Sequence, residues 1–207
     1  MKLKPLKLPA TIEVGQIIGF GKYNLSVNNP GKTSVIRWQV LAKEENRILL
    51  VSKYAIDCLP YNETFSEVTW ETCTIRSWLN NTFINSSFTN AERAVIQTVT
   101  VEADNDPKYS TISENDTQDK VFLLSISEVN KYFSSADDRK CYLTTYANER
   151  GAWKFPDGTC LWFLRSPGNL YKSAAVVYND GSVNYAGQCV SDRTYGIRPA
   201  MWIELDS

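Results

Sequence analysis

The sequence contains no histidine at all. That absence removes the usual general base, the commonest metal ligand and the middle member of a nucleophilic triad. Cysteine is sparse: Cys58, Cys73, Cys141, Cys160 and Cys189 are the five present, and no pair has the CxxC spacing of a zinc or redox site. They are expected to be reduced and mostly buried. An excess of charge is missing too, with 22 basic residues against 23 acidic ones and a net charge of −1. No basic field is available to hold a phosphate backbone, so nucleic acid is not an expected partner. No apolar run is long enough to span a bilayer, and the start MKLKPLKLPATIEV has the basic residues of a signal peptide without its apolar stretch or cleavage site. No membrane insertion is expected; the default compartment is the cytoplasm, with display on a surface or a phage as the alternative. Repeats and low-complexity tracts are also lacking.

What is present is an ordinary globular mixture, 43% apolar and 22% charged, sized for one domain over residues 1–207. Residues 36–42 and 47–52 read as two strands joined by the turn-forming Glu44-Glu45-Asn46. Ahead of them, residues 12–23 alternate weakly around Gly15, Gly19 and Gly21, as a short edge strand with a bend does. Thr69 is placed to cap an early helix over residues 72–83, with Cys73, Ile75, Trp78 and Leu79 on one apolar face. Thr89 with Glu92 and Ser125 with Glu128 match the capping-box pattern, predicting short helices from Asn90 and Ile126. A further helix over residues 145–150 should stop at Gly151. Residues 102–120 read as a long polar surface loop. Its Asp104, Asp106, Asp116 and Asp119 lack the register of a calcium loop, so the expectation is a solvated acidic loop without metal. The last third alternates β-prone runs with tight turns, and Asn179-Asp180-Gly181 is a hairpin signal.

Three separated motifs, VTWETCTIRSWLNNTF, NDTQDKVFLLS and the closing LRSPG, DGSV and GIRPAMW, occur in order. Together they resemble an uncharacterised bacterial family of domains. That family is similar to the C-type-lectin-like fold in its formylglycine-generating-enzyme branch, at Trp162, Arg165, Ser166, Gly196, Arg198 and Pro199. The resemblance implies an α+β fold: a twisted antiparallel sheet, two or more helices and a loop-rich C-terminal β-subdomain over residues 161–203, whose final strand (197–203) lies near the N-terminal one. The same branch includes the variable proteins of diversity-generating retroelements, which vary C-terminal surface residues to gain new binding specificities; Lys172 and Gln188 are residues that their mutable codons do not encode. The implied function is non-enzymatic recognition of a protein or glycan ligand, with no cofactor and no catalytic residues.

The candidate contact residues are Asn169, Tyr171, Ser173, Tyr178, Asn179, Asn184, Tyr185, Ser191, Asp192, Arg193 and Tyr195, together with Thr194. Their composition resembles a paratope, in which Tyr and Arg supply large contacts and Asn and Ser adaptable hydrogen bonds. Exposed β-turns use the same residues, and that reading stands beside the first. A calcium-mediated sugar site is not expected, because no Glu-Pro-Asn equivalent precedes Tyr178-Asn179-Asp180. The enzymatic alternative is a copper-thiolate oxidase with Cys160 and Cys189 as the ligand pair; the remaining one is a structural or adhesion-accessory domain. Arg165 and Arg198 either face an anionic ligand or, the favoured reading, are tied to a buried acid or backbone carbonyl.

Overall fold

The computed structural model describes residues 8–109, 111–113 and 115–206. The basic segment 1–7 therefore lies outside the described residues, as do Ser110, Glu114 and Ser207.

The chain opens with β1 (Ile17–Asn24), β2 (Thr33–Lys43) and β3 (Arg47–Ser52). In β2 the buried Ile36, Trp38 and Val40 alternate with the exposed Val35 and Arg37, so one face is apolar and the other wet. Nearly every residue of β3 is buried, as befits a strand covered on both faces. β1 bends at a register shift between Gly19 and Lys22; Gly21 sits there at φ 66°, and a Cβ would run into the Phe88 ring. Next come β4 (Asp57–Cys58) and α1 (Thr74–Trp78), which continues through one π-helical turn (Leu79–Phe83) into α2 (Ile84–Ser87). Its buried residues include Cys73, Ile75, Leu79, Phe83 and Ile84.

The early helix begins later than expected. Thr69 does not cap it: the Thr69 carbonyl accepts from the amides of Thr72 and Cys73, closing a turn, and the N-cap is Cys73 without a side-chain bond. The first helical amide, that of Thr74, donates instead to Asn62 Oδ1 at 3.1 Å, a cap supplied from a distant loop.

Beyond it lie α3 (Asn90–Val95), β5 (Val99–Val101), β6 (Thr117–Asp119), β7 (Phe122–Leu123), α4 (Ile126–Tyr132), α5 (Ala136–Arg139), β8 (Cys141–Tyr142), α6 (Thr145–Glu149) and β9 (Thr159–Cys160). Both expected capping boxes form, at Thr89/Glu92 and Ser125/Glu128, and α6 ends at Gly151 with φ 103°. The 102–120 segment is more structured than a solvated loop. β6 pairs with β5, and the acidic side chains fasten the segment down. Asp119 takes an ion pair from Arg76 and a hydrogen bond from Trp70 Nε1; Asp104 accepts from Ser127 and Ser166; Asp106 accepts from the amides of Lys108 and Tyr109; Asp116 accepts from the Ala103 amide.

The chain ends with β10 (Trp162–Pro167), β11 (Ser173–Val177), β12 (Val183–Cys189), β13 (Gly196–Ile197) and β14 (Pro199–Glu204). Two five-stranded sheets result, in the orders β1-β2-β3-β14-β7 and β12-β11-β10-β13-β4. The fold is thus mixed and sheet-rich, with short helices. Residues 161–203 contribute to both sheets: the chain leaves the second sheet at Ile197, turns at Arg198 and enters the first between β3 and β7 as β14. β14 shares this sheet with β1 without pairing with it: it pairs with β3 and β7, and β2 and β3 lie between it and β1. Only beyond it does the Asp206 amide reach the Leu8 carbonyl. One continuous cluster of buried side chains, with Trp38 and Trp162 fully enclosed, runs through both sheets; burying each such ring contributes on the order of 2–3 kcal/mol.

Candidate functional site

The expected contact residues fall mostly on the β11–β12 hairpin and the loops around it. Asn179, Asp180 and Gly181 form its turn: Gly181 has φ 84°, a Cβ there would fall on the Ala136 carbonyl, and the Asp180 carboxylate accepts from the Ser182 amide and hydroxyl. Further along, the register shifts between Ala174 and Val176, opposite Gly187 at φ 75°. That bulge brings Asn184 and Gln188 to the same phenol. Asn184 Nδ2 donates to Tyr178 Oη at 2.8 Å and Gln188 Nε2 to the same atom at 3.4 Å, while Tyr195 Oη donates to Gln188 Oε1 at 3.3 Å. The Tyr195 ring meets Phe163 edge-on at 5.2 Å, and Phe163 in turn meets Tyr61. Burial and the nearby Asp192 carboxylate push the Tyr195 phenol up to about 12, so it stays a donor. Tyr178, Asn184, Gln188 and Tyr195 are all half-buried and form a continuous polar and aromatic face.

The other expected residues are placed differently. Tyr185 follows Asn184 directly and so points to the opposite face, where Lys108 Nζ lies 3.7 Å from its ring centre. Ser173 Oγ bonds Asn169 Oδ1 and the Leu170 carbonyl, which ties off the preceding turn. Asp192 accepts from the Thr194 amide and hydroxyl, Ser191 lies against Cys189 Sγ, and Arg193 pairs with Glu63 at the surface. Tyr171 is exposed, beside the exposed Leu170. The structure therefore brings together three expected residues, Tyr178, Asn184 and Tyr195, and adds Gln188. Alternation along β12 puts 184 and 188 in the same phase, which is the sequence signal for that addition.

Both arginines are internal. Arg165 donates to the Leu123 and Glu102 carbonyls and ion-pairs with Glu128. Arg198 donates to the Ser52 carbonyl at 2.8 Å and the Arg139 carbonyl at 3.4 Å, with the rings of Trp162 and Phe133 at 4.9 and 5.2 Å. Cys160 is not brought to Cys189. It is paired with Cys141, whereas Cys189 stands on β12 opposite Ser173. Among the described residues no three histidine, cysteine, aspartate or glutamate side chains gather as a metal-ligand set.

A second feature had no signal in the sequence. A cavity of about 300 Å³ opens between β1, β2 and residues 143–145, walled by Tyr23, Val35, Arg37, Tyr54 and Thr144. Behind it Tyr23 Oη donates to Asp57 Oδ2 at 2.6 Å; Arg150 approaches the same buried carboxyl at 3.5 Å and the Tyr146 ring meets Tyr23 edge-on. Burial raises the pKa of both Tyr23 and Asp57.

No helix among the described residues is long and apolar enough to cross a membrane. A family described as a domain of unknown function, DUF6273, matches residues 45–205, and the chain belongs to that family. No curated protein and no solved structure matches it.

Proposed function

We propose that this DUF6273 chain is a non-enzymatic recognition protein with a C-type-lectin-like fold, and that it binds a protein ligand through the face carrying Tyr178, Asn184, Gln188 and Tyr195. The observation that carries the reading is the shared hydrogen bonding of these four half-buried side chains, two on β12 and two on the loops beside it. Such a face is held in place before a ligand arrives, so little side-chain freedom is lost on binding. Its aromatic rings offer large contact areas and its amides offer donors and acceptors. Two further features favour a protein over a glycan: β12 ends the second sheet with one edge unpaired among the described strands, and the exposed Leu170 and Tyr171 stand beside β11.

Diversification by a retroelement fits only part of the expected set. Asn169, Ser173 and Asp192 hold turns together, so free variation there would cost stability, whereas Tyr171 has an exposed side chain. The variable part is therefore confined to Tyr171, Tyr178, Asn184 and Tyr195, with Gln188 as a fixed member of the face. A nearby reverse-transcriptase gene with a near-copy of the coding segment for residues 162–202, differing only at adenines, is the expected genomic mark.

The test is selection of ligands for the folded chain from a protein-display library, with a glycan array in parallel. Tyr178→Phe removes the acceptor shared by Asn184 and Gln188, and Tyr195→Phe removes the donor to Gln188; both keep the ring packing. Either change should weaken selected ligands about tenfold or more while the Tm stays within a few degrees. Ligands that bind both variants as tightly as the parent would sink the proposal, and enrichment on the glycan array alone would reassign the ligand class.

A further inference from the structure

β8 and β9 are only two residues long, and their antiparallel register sets Cys141 directly opposite Cys160. Facing residues in such a pair have Cα atoms about 4.5–5.5 Å apart, within the roughly 4.4–6.8 Å that a disulfide spans. Both side chains are fully buried, and Cys141 Sγ lies 3.6 Å from the Tyr142 carbonyl. The packing around them is close: a Cβ on Gly196 would lie 2.6 Å from the Ala55 methyl and 3.3 Å from Cys160 Sγ.

The charge beside this pair is unusual. Arg198 is 1% exposed, it donates to two backbone carbonyls, and no carboxylate pairs with it among the described residues. A guanidinium stays protonated in a protein interior and is costly there without a counter-charge. The ionisable groups that face it are the two thiols. Burial opposes ionisation of Cys141, yet the hydrogen bond from Cys160 and the charges of Arg198 and Lys53 hold its pKa down at about 7. The Cys141 hydrogen bond and burial move Cys160 the opposite way. Cys58 and Cys73 are also buried, but their pKa values are pushed up to about 11 and about 12.

We infer that Cys141 and Cys160, facing each other beside the buried Arg198, form an oxidisable dithiol, and that the pair is a site of reaction with hydroperoxides. The thiolate attacks the terminal peroxide oxygen: an S–O bond forms, the O–O bond breaks, and the alcohol, or water from hydrogen peroxide, leaves after taking up a proton. Cys141 is then a sulfenic acid. The Cys160 sulfur attacks it, an S–S bond forms, the S–O bond breaks, and the oxygen departs as water. In sum two thiols and one hydroperoxide give a disulfide, an alcohol and water, a two-electron oxidation of the protein. Access requires local opening of β8 and β9 next to the exposed Tyr142, with release of the bonds that tie Tyr142 and Thr144 to Ala55. Closing the disulfide takes the counter-charge from Arg198, at the point where the chain crosses between sheets.

Two measurements on the full native chain test this. Thiolate ultraviolet absorbance should rise through neutral pH to about one group near pH 8, and that rise should disappear in Cys141→Ser. After brief exposure to hydrogen peroxide, acid quenching, alkylation and peptide mapping should recover a Cys141–Cys160 disulfide, reversed by dithiothreitol, while Cys58 and Cys73 remain alkylated. In Cys160→Ser, dimedone should trap a sulfenic acid on Cys141, which keeps the proposal testable if Cys141→Ser does not fold. A native chain without thiolate absorbance, or with Cys141 and Cys160 still free under conditions that oxidise Cys189, would overturn the inference.

Discussion

At the scale of the residue, Asp57 is the most informative side chain. The residue is 2% exposed, and its carboxyl accepts from Tyr23 and from the Cys58 amide, with Arg150 on its outer side. Burial raises its pKa, so the folded chain binds more protons than the unfolded one between the ordinary carboxylate range and that raised value. The stability due to Asp57 is therefore greatest in acid and falls as pH rises through this window. Asp57→Asn keeps an acceptor for Tyr23 and has no charge to desolvate. Thermal melts of the two proteins across that window should show the variant gaining on the parent as pH rises to neutrality. A parent that gains on the variant instead would mean that the ion pair with Arg150 outweighs the burial cost. None of this was legible in the sequence, because Tyr23, Asp57 and Arg150 meet only through the fold. Tyr178 and Tyr195 were singled out for their residue type, but what makes them a surface is the bulge at Gly187, which composition does not disclose.

At the scale of the element, local chemistry was readable and distant chemistry was not. The capping boxes of α3 and α4, the stop at Gly151 and the Asn179-Asp180-Gly181 turn each depend on partners within a few residues, and all form. The early helix depends on Asn62, twelve positions before the amide it caps, and so its start was misplaced. The acidic 102–120 segment was misread for the same reason, since the donors that hold it come from Trp70, Arg76, Ser127 and Ser166. Glu92 joins the two kinds of bond: one carboxylate oxygen closes the capping box at 2.8 Å and the other accepts from the Gly21 amide, on the bend of β1, at 3.1 Å. Thr89→Ala should cost about 1 kcal/mol as an ordinary cap deletion. Glu92→Ala should cost about 1–2 kcal/mol more, because it also orphans an amide buried against Phe88. Urea unfolding of both variants measures the difference, and equal losses would show that the tether to β1 contributes nothing.

At the scale of the whole molecule, the last dozen residues decide how the two sheets behave. β13 lies between β10 and β4 in the second sheet, and two residues later β14 lies between β3 and β7 in the first. Arg198 is the corner, bonded to the end of β3 and the end of α5 and lying against Trp162 and Phe133. Neither sheet can lose this segment without losing an internal strand, and the buried cluster is continuous across it. Separate unfolding would require the corner to break while both sheets kept their hydrogen bonds, which would expose a guanidinium site and two aromatic faces without releasing much chain entropy. A single cooperative transition is therefore expected. Far-ultraviolet circular dichroism, which follows both sheets, and near-ultraviolet dichroism, which follows packed aromatic rings such as Trp38 and Trp162, should give coincident urea curves with equal midpoints and slopes. Two separated midpoints would mean that Arg198 and its thiol partners do not couple the sheets, and that oxidation at Cys141 and Cys160 would be felt in one sheet alone.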